Sequence, residues 1–299
     1  MLSEEELQKY REAGKILAEV REEIKPMVKI GTKLLEIAEK AEELIRNKGA
    51  QPAFPCNVSV NEIAAHYSPP ANDETVIKEG DVVKVDLGAH VDGYIADTAF
   101  TVVTGDGKEL VEAVERALEA AISTVRPGID VGEIGKAVEE AITAAGFKPI
   151  RNLTGHSLAR WDLHAGITIP NVNERTGQTL NPGDVLAIEP FATDGAGYVE
   201  DQKRTHIFRY LRDAPTRLRM TRGLLRDIKQ RYNGLPFAER WLTKRMSKLR
   251  LELSLRELIA VGALWPYHVL AERAKGKVAQ AEHTVIVTED GCEVTTLRK

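Results

Sequence analysis

Apolar positions along the chain change their period several times, and the changes mark out its elements. Leu34, Ile37, Ala41, Leu44 and Ile45 recur as the stripe of an amphipathic helix, and Gly49 stands where a helix-ending glycine belongs. The pattern returns 97 residues later. Val28, Gly31, Glu36, Ile37, Glu42, Glu43, Ile45, Gly49 and Pro52 fall without a gap on Val125, Gly128, Glu133, Ile134, Glu139, Glu140, Ile142, Gly146 and Pro149. Behind each helix the apolar residues alternate, as in a strand. There Gly80-Asp81-Val82-Val83-Lys84-Val85-Asp86 matches Gly183-Asp184-Val185-Leu186-Ala187-Ile188-Glu189 at an offset of 103. Ala96-Asp97 has its counterpart in Ala281-Glu282, each leading into valines (Val102, Val103; Val285, Val287), and His66 aligns with His164. The paired acids are 11 residues apart in the first copy and 93 in the second, so about 82 residues interrupt the second copy. The repeat predicts two related α/β halves about a pseudo-twofold axis, with one half interrupted.

The interruption has its own character. Between Arg209 and Leu258 stand fourteen Lys/Arg against five Asp/Glu, a local excess of nine in a chain whose net charge is −4. Leu218, Leu224, Leu225, Ile228, Trp241, Leu242, Leu249, Leu253 and Leu255 recur at helical intervals, with a break at Asn233-Gly234-Leu235-Pro236. Residues 209–265 are thus expected to form a basic helical insertion within a single domain spanning 1–299. Solvated Arg-rich helix faces account for its charge, and a polyanion-docking surface is the alternative.

With 299 residues, 43% of them hydrophobic and 29% charged, the chain has the composition of a globular protein and not of a collagen, coiled coil or disordered tail. No apolar stretch reaches the roughly 20 residues that span a bilayer, and the N-terminus is acidic (Glu4, Glu5, Glu6), so a cytoplasmic protein is expected. The two cysteines, Cys56 and Cys292, suit neither a disulfide framework nor a zinc ribbon.

The duplicated acids carry the chemistry. Asp86 and Asp97 flank a turn rich in Asp92 and Gly93, and a hairpin centred between Val91 and Asp92 makes them direct cross-strand partners about 5 Å apart. Like charges so close in an apolar sheet push a pKa up or destabilise the fold unless a cation lies between them. Glu189 and Glu282 add two more acids at equivalent places, and no Lys or Arg lies in their immediate strand context. His156, in Thr154-Gly155-His156, has no histidine counterpart in the first half. It is a candidate nitrogen ligand that would make two metal positions unequal, though taken alone it reads as an ordinary loop histidine. Such a set favours hard or borderline ions such as Mn, Fe or Co.

At this point the motifs resemble the type II methionine aminopeptidases, close to their archaeal members. The resemblance rests on Pro52-Ala53-Phe54-Pro55, Asn61-Glu62-Ile63-Ala64-Ala65-His66-Tyr67, Lys84-Val85-Asp86-Leu87-Gly88, Asp92-Gly93-Tyr94-Ile95-Ala96-Asp97-Thr98-Ala99, Gly155-His156, Leu163-His164-Ala165-Gly166, Ala187-Ile188-Glu189-Pro190-Phe191 and Glu282-His283-Thr284. It implies the α+β pita-bread fold, two pseudo-symmetric halves around a central antiparallel sheet, with the helical insertion in the second half. It also implies two divalent ions, drawn from Co, Mn, Fe, Ni or Zn. Asp86 would chelate one, His156 and Glu189 the other, and Asp97 and Glu282 would bridge them. Glu189 would carry the proton, His164 would stabilise the oxyanion and His66 would hold the scissile amide. Phe54, Leu163, Phe191 and Tyr267 would enclose the side chain of the N-terminal methionine. The implied activity is removal of that methionine from nascent chains, with a small second residue preferred, by a monomer that keeps off membranes. Its basic insertion is a candidate ribosome contact.

Two other readings share the scaffold. Prolidases and aminopeptidase P carry the same ligands behind a large N-terminal domain, for which the roughly 50 residues before the first motif, opening on Ser3-x-x-Glu6, leave no room. Non-enzymatic binding proteins of the proliferation-associated kind have replaced ligands, whereas Asp86, Asp97, His156, Glu189 and Glu282 are all present.

Overall fold

The two repeated stripes fold as helices of identical length, 97 residues apart. In the computed structural model, which describes residues 2–243 and 245–298, the first half begins with α1 (Glu4–Ile24) and α2 (Leu34–Asn47). Ser3 and Glu6 cap α1 reciprocally, the capping box expected from the sequence. Strands β1 (Gln51–Pro52), β2 (Asn57–Val60), β3 (Ile63–Ala65), β4 (Val82–Val91) and β5 (Tyr94–Val103) follow. The second half repeats the plan with α3 (Lys108–Thr124), α4 (Val131–Ala144), β6 (Lys148–Pro149), β7 (Thr154–Ser157), β8 (Thr168–Pro170), β9 (Val185–Ile188) and β10 (Phe191–Thr193). Gly49 and Gly146, at φ of +93° and +84°, take the left-handed conformation just past the ends of α2 and α4.

β11 (Val199–Tyr210) then leads into α5 (Arg219–Tyr232), β12 (Phe237–Ala238), α6 (Glu239–Leu242) and α7 (Lys248–Ala260). The chain returns through β13 (Leu264–Glu272) to β14 (Val278–Gln280), β15 (His283–Val287) and β16 (Cys292–Val294). Leu224, Leu225, Ile228, Leu242, Leu251 and Leu255 share a core with Phe208, Phe237 and Leu264, while Leu218, Leu249 and Leu253 face outward. At the edges of the segment Arg209, Tyr210, Leu264 and Trp265 are strand residues, paired across β11 and β13.

Alternation along the strands decides which side chains meet at the centre. Val83, Val85, Leu87 and Ala89 of β4 pack into one core with α1 and α2, so Lys84, Asp86 and Gly88 point the other way. Likewise Leu186 and Ile188 of β9 join a core with α3 and α4, which turns Ala187 and Glu189 inward. In both halves the helices cover the outer face and the acids face the middle.

One expectation fails in detail. The β4–β5 hairpin turns on Asp92 and Gly93 themselves, at φ +52° and +88°, and Val91 pairs with Tyr94. A two-residue turn of this kind needs positive φ at both central positions, which Asp and Gly adopt and β-branched Val91 resists. The register therefore shifts by two: Asp97 faces Gly88 and Asp86 faces Ala99, so the two acids are diagonal neighbours instead of direct partners. The direct arrangement occurs in the second half. Ile188 pairs with His283 and Phe191 with Gln280, which places Glu189 opposite Glu282 on one continuous register.

Candidate metal centre and active site

Between the halves lies a cavity of about 310 Å³. Its walls include all eleven side chains singled out in the sequence: Asp86, Asp97, His156, Glu189 and Glu282; His66 and His164; Phe54, Leu163, Phe191 and Tyr267. Asp97, His156 and Glu282 each offer a ligand atom within 4.8 Å of the other two. His156 Nε2 also lies 3.5 Å from Glu189 Oε1 and 3.9 Å from Asp97 Oδ2. Asp86 stands at the side of this group, where Asn57 Nδ2 donates to its Oδ2 at 3.3 Å.

Electrostatically the cluster is uncompensated. Burial pushes the pKa of Asp86 up to about 7, opposed only by the Asn57 hydrogen bond. Burial raises Asp97, Glu189 and Glu282 well above the carboxylate range, with the neighbouring acids adding to it in each case. Asp86 Oδ1, Asp97 Oδ1 and Glu282 Oε1 are buried and without a hydrogen-bond partner. Among the described residues no Lys or Arg pairs with any of the four. Unpaired buried charge costs several kcal/mol per ion, so this donor set fits divalent cations, and burial holds His156 in its ligating neutral form with a pKa of about 3.

The three imidazoles and Tyr267 form a row across the cavity. Ring centroids are 4.5 Å apart for His156 and His164, 6.3 Å for His164 and Tyr267, and 5.3 Å for Tyr267 and His66. His66 sits at φ +64°, an uncommon conformation for a residue with a Cβ, and its Nδ1 donates to the His268 carbonyl at 3.1 Å. That bond leaves the Nε2 lone pair for the cavity. Its pKa is lowered by burial, against the pull of that carbonyl. The segment carrying Leu163 and His164 is pinned to the β4–β5 turn: Trp161 N–H donates to the Gly93 carbonyl at 2.9 Å, and its indole lies where a Gly93 Cβ would be. His164, open at the mouth yet surrounded by protein, titrates low, near 4, from desolvation and then the charges of His66 and Arg209.

His283 turns away from the cavity to Thr296 and Arg21, as its strand position requires. Two polar partners carry no motif of their own. Asn57 holds Asp86, and Gln280 Nε2 reaches Glu189 Oε2 at 3.3 Å and Glu282 Oε2 at 3.5 Å. For Gln280 a signal existed, since two residues before Glu282 on a strand is the same face. Asn57 offered none.

Comparison with known proteins agrees with this geometry. The profile of metallopeptidase family M24 matches residues 8–289. A methionine aminopeptidase of Methanothermobacter thermautotrophicus is 52% identical over 294 residues, 97% of this chain and 98% of its own length. One from Pyrococcus horikoshii is 53% identical over 293 residues, covering 97% and 99%. The chain belongs to the methionine aminopeptidases of family M24. The crystal structure of another member, from Thermotoga maritima, is similar with a TM-score of 0.73 at 26% identity, over 99% of this chain and 98% of that one. Membership makes the α+β pita-bread fold and the activity firm: the protein is a metalloaminopeptidase of archaeal type that removes N-terminal methionine and uses a divalent metal. No helix among the described residues is long and apolar enough to cross a membrane.

Proposed function

We propose that the centre takes two divalent ions, Asp86 holding one, His156 and Glu189 the other, with Asp97 and Glu282 shared. When bound, such ions act as Lewis acids on water and anchor the free α-amine of the substrate, as is general for two-metal aminopeptidases. The observation that carries this reading is the set of four clustered carboxylates with raised pKa values, three of them with an orphaned oxygen.

The chain's own residues divide the remaining work. Glu189 accepts a proton from the attacking water and delivers it to the departing amine. His66, with its proton fixed on Nδ1, offers Nε2 to the N–H of the scissile amide. His164, neutral in the free protein, stabilises the charge that develops on the carbonyl oxygen. Phe54, Leu163, Phe191 and Tyr267 close round the methionine side chain, whose thioether gains from aromatic edges. By resemblance to its relatives the enzyme prefers a small second residue, so kcat/KM falls from Met-Gly to Met-Lys peptides; equal values would contradict it.

The same reading extends to the setting: a cytoplasmic monomer acting on nascent chains, with residues 209–265 as a basic insertion that meets the ribosome. Cosedimentation that ignores charge-neutralising changes at Arg217, Arg219 and Arg222 would remove that contact. The decisive assay compares Met-Ala-Ser with Ala-Pro-Phe, with and without chelator. Chelator-sensitive release of Met alone supports the proposal. Release of Ala points to a prolidase-like enzyme, and no release at all to a binding protein.

A further inference from the structure

The sheet face that brings Ile207 and Tyr267 to the cavity continues past its mouth. β11 and β13 are antiparallel, with Ile207 opposite Tyr267 and, one step outward on the same face, Arg209 opposite Trp265. The alternate residues Phe208, Tyr210 and Leu264 turn to the core shared with α5 and α7, which fixes the side on which Arg209 and Trp265 stand. Ile207 and Tyr267 line the cavity, whereas Trp265 lies beyond it at 56% exposure. Leu211 follows on the same side at 48%, its N–H extending the pairing by donating to the Ala263 carbonyl at 2.9 Å.

Single apolar residues at a surface are ordinary, but Trp265 and Leu211 prolong the wall of a substrate cavity. The rim that carries them is held in place. Arg209 Nη2 donates to Asp162 Oδ1 at 3.3 Å, and the same oxygen accepts from the His164 N–H at 3.4 Å. The strand of the rim is thereby tied to the segment that bears Leu163 and His164. Position also names the occupant, since a peptide whose first side chain packs on Tyr267 must carry its remaining residues out of the cavity. Trp265 stands two residues from Tyr267 on one strand, about 7 Å away. An extended peptide covers that distance in two residues, with its first and third side chains on one face.

Resting on the methionine pocket described above, we propose that Trp265, flanked by Arg209 and Leu211, is a subsite for the third residue of the substrate and favours an apolar side chain there. The peptide leaves along β13 in extended form, its methionine against Tyr267 and its third side chain on the indole, whose large apolar face gains from being covered. The guanidinium of Arg209 is engaged by Asp162, so the pair presents no net charge to a charged third residue.

The test compares Met-Ala-Leu-Ser with Met-Ala-Gly-Ser, which differ only at the third residue, on the metal-loaded full chain. In the parent, kcat/KM favours the leucine peptide by about four- to tenfold, as half burying one such side chain implies. Trp265→Ala brings that ratio close to one, and Trp265→Phe keeps most of it. Leu249→Ala, which removes an exposed leucine of α7 on the other side of the sheet, leaves the parent's ratio. Because each ratio is read within one variant, a loss of metal or of folded protein cancels from it. Tyr267→Ala examines the underlying pocket separately and lowers kcat/KM for both peptides. If it spares both, the methionine packs elsewhere and the subsite falls with the pocket. A parent ratio near one, or a ratio that Trp265→Ala leaves intact, overturns the subsite and leaves the pocket standing.

Discussion

Gly88 is the most demanding close approach beside the candidate metal centre, and Gly88→Ala tests how rigidly the proposed methionine pocket is held. A Cβ at Gly88 would lie 2.2 Å from Phe54 Cε1, 2.4 Å from Cδ1 and 2.8 Å from Cζ. Ordinary carbon contacts begin near 3.5 Å, so the ring must recede by about 1.3 Å. Its backbone cannot follow, because Ala53 N–H donates to the Gly88 carbonyl at 2.9 Å on one side and Asn57 pairs with Asp86 on the other. The ring is 7% exposed and packed with Leu163 and Leu158, so the strain goes into an off-rotamer side chain and a narrowed cavity. Overpacking of this kind costs about 1–3 kcal/mol. For a chain of this size that lowers the melting temperature by about 2–5 °C. Because Phe54 lines the cavity, KM for Met-Ala-Ser should rise severalfold while kcat changes less. Phe54→Leu removes the clashing ring, so Gly88→Ala should cost much less in the Phe54→Leu background than alone. Unchanged melting temperature and KM for Gly88→Ala, or strict additivity of the two changes, would refute the steric reasoning.

The raised carboxyl pKa values make metal-free stability depend on pH with a definite sign. A carboxyl whose folded pKa lies above its unfolded value stabilises the fold at low pH, and that contribution is lost as pH rises from about 4 through the folded pKa, about 7 for Asp86. In chelator the melting temperature should therefore fall between pH 5 and 8, and the gain on adding divalent metal should grow over the same range; a metal effect independent of pH contradicts this. Asp97→Ala, which on the proposed assignment removes a carboxylate shared by two ions, should lose at least one metal by elemental analysis and nearly all turnover, and full activity with two metals retained would refute the assignment. Arg240 pairs with Glu42 where both side chains are 4% exposed, and Glu42 also accepts from Trp241 Nε1 at 2.7 Å. Arg240→Met, leaving that buried carboxylate only the half-exposed Arg46 at 4.0 Å, should cost about 3–5 kcal/mol in urea unfolding. The Glu42→Gln/Arg240→Met pair should cost less, and a double variant no more stable than Arg240→Met would refute the charge argument.

The helices and the acids were legible in the sequence because their signals are local and repeated. The α2 and α4 stripes are dictated by the core they cover, and the acids stand on strands whose alternate residues are committed to that core. Lys84 and Asn57 were not legible as partners. Lys84 reads as a polar residue on an alternating strand until Val278, 194 positions away, is brought beside it. The pairing of Arg240 with Glu42, 198 positions apart, is hidden for the same reason: a charge in a basic segment looks solvated until the fold buries it.

The hairpin register shows why some displacements leave a site intact and others would not. A shift of two residues along β4 exchanges the direct partner of Asp97 from Asp86 to Gly88 but keeps both acids on the inward face, because strand side chains repeat every two. A shift of one would have sent a carboxylate into the apolar layer under α1. The true register also creates an asymmetry. Glu189 and Glu282 are direct partners while Asp86 and Asp97 are staggered, and only the second half sets an imidazole, His156, among the acids. Equivalent acids in a duplicated chain therefore enclose the cavity unequally. The Asp86 side is anchored by an amide donor and the Glu189 side by a histidine, which is the arrangement needed if two ions at one centre are to differ in affinity.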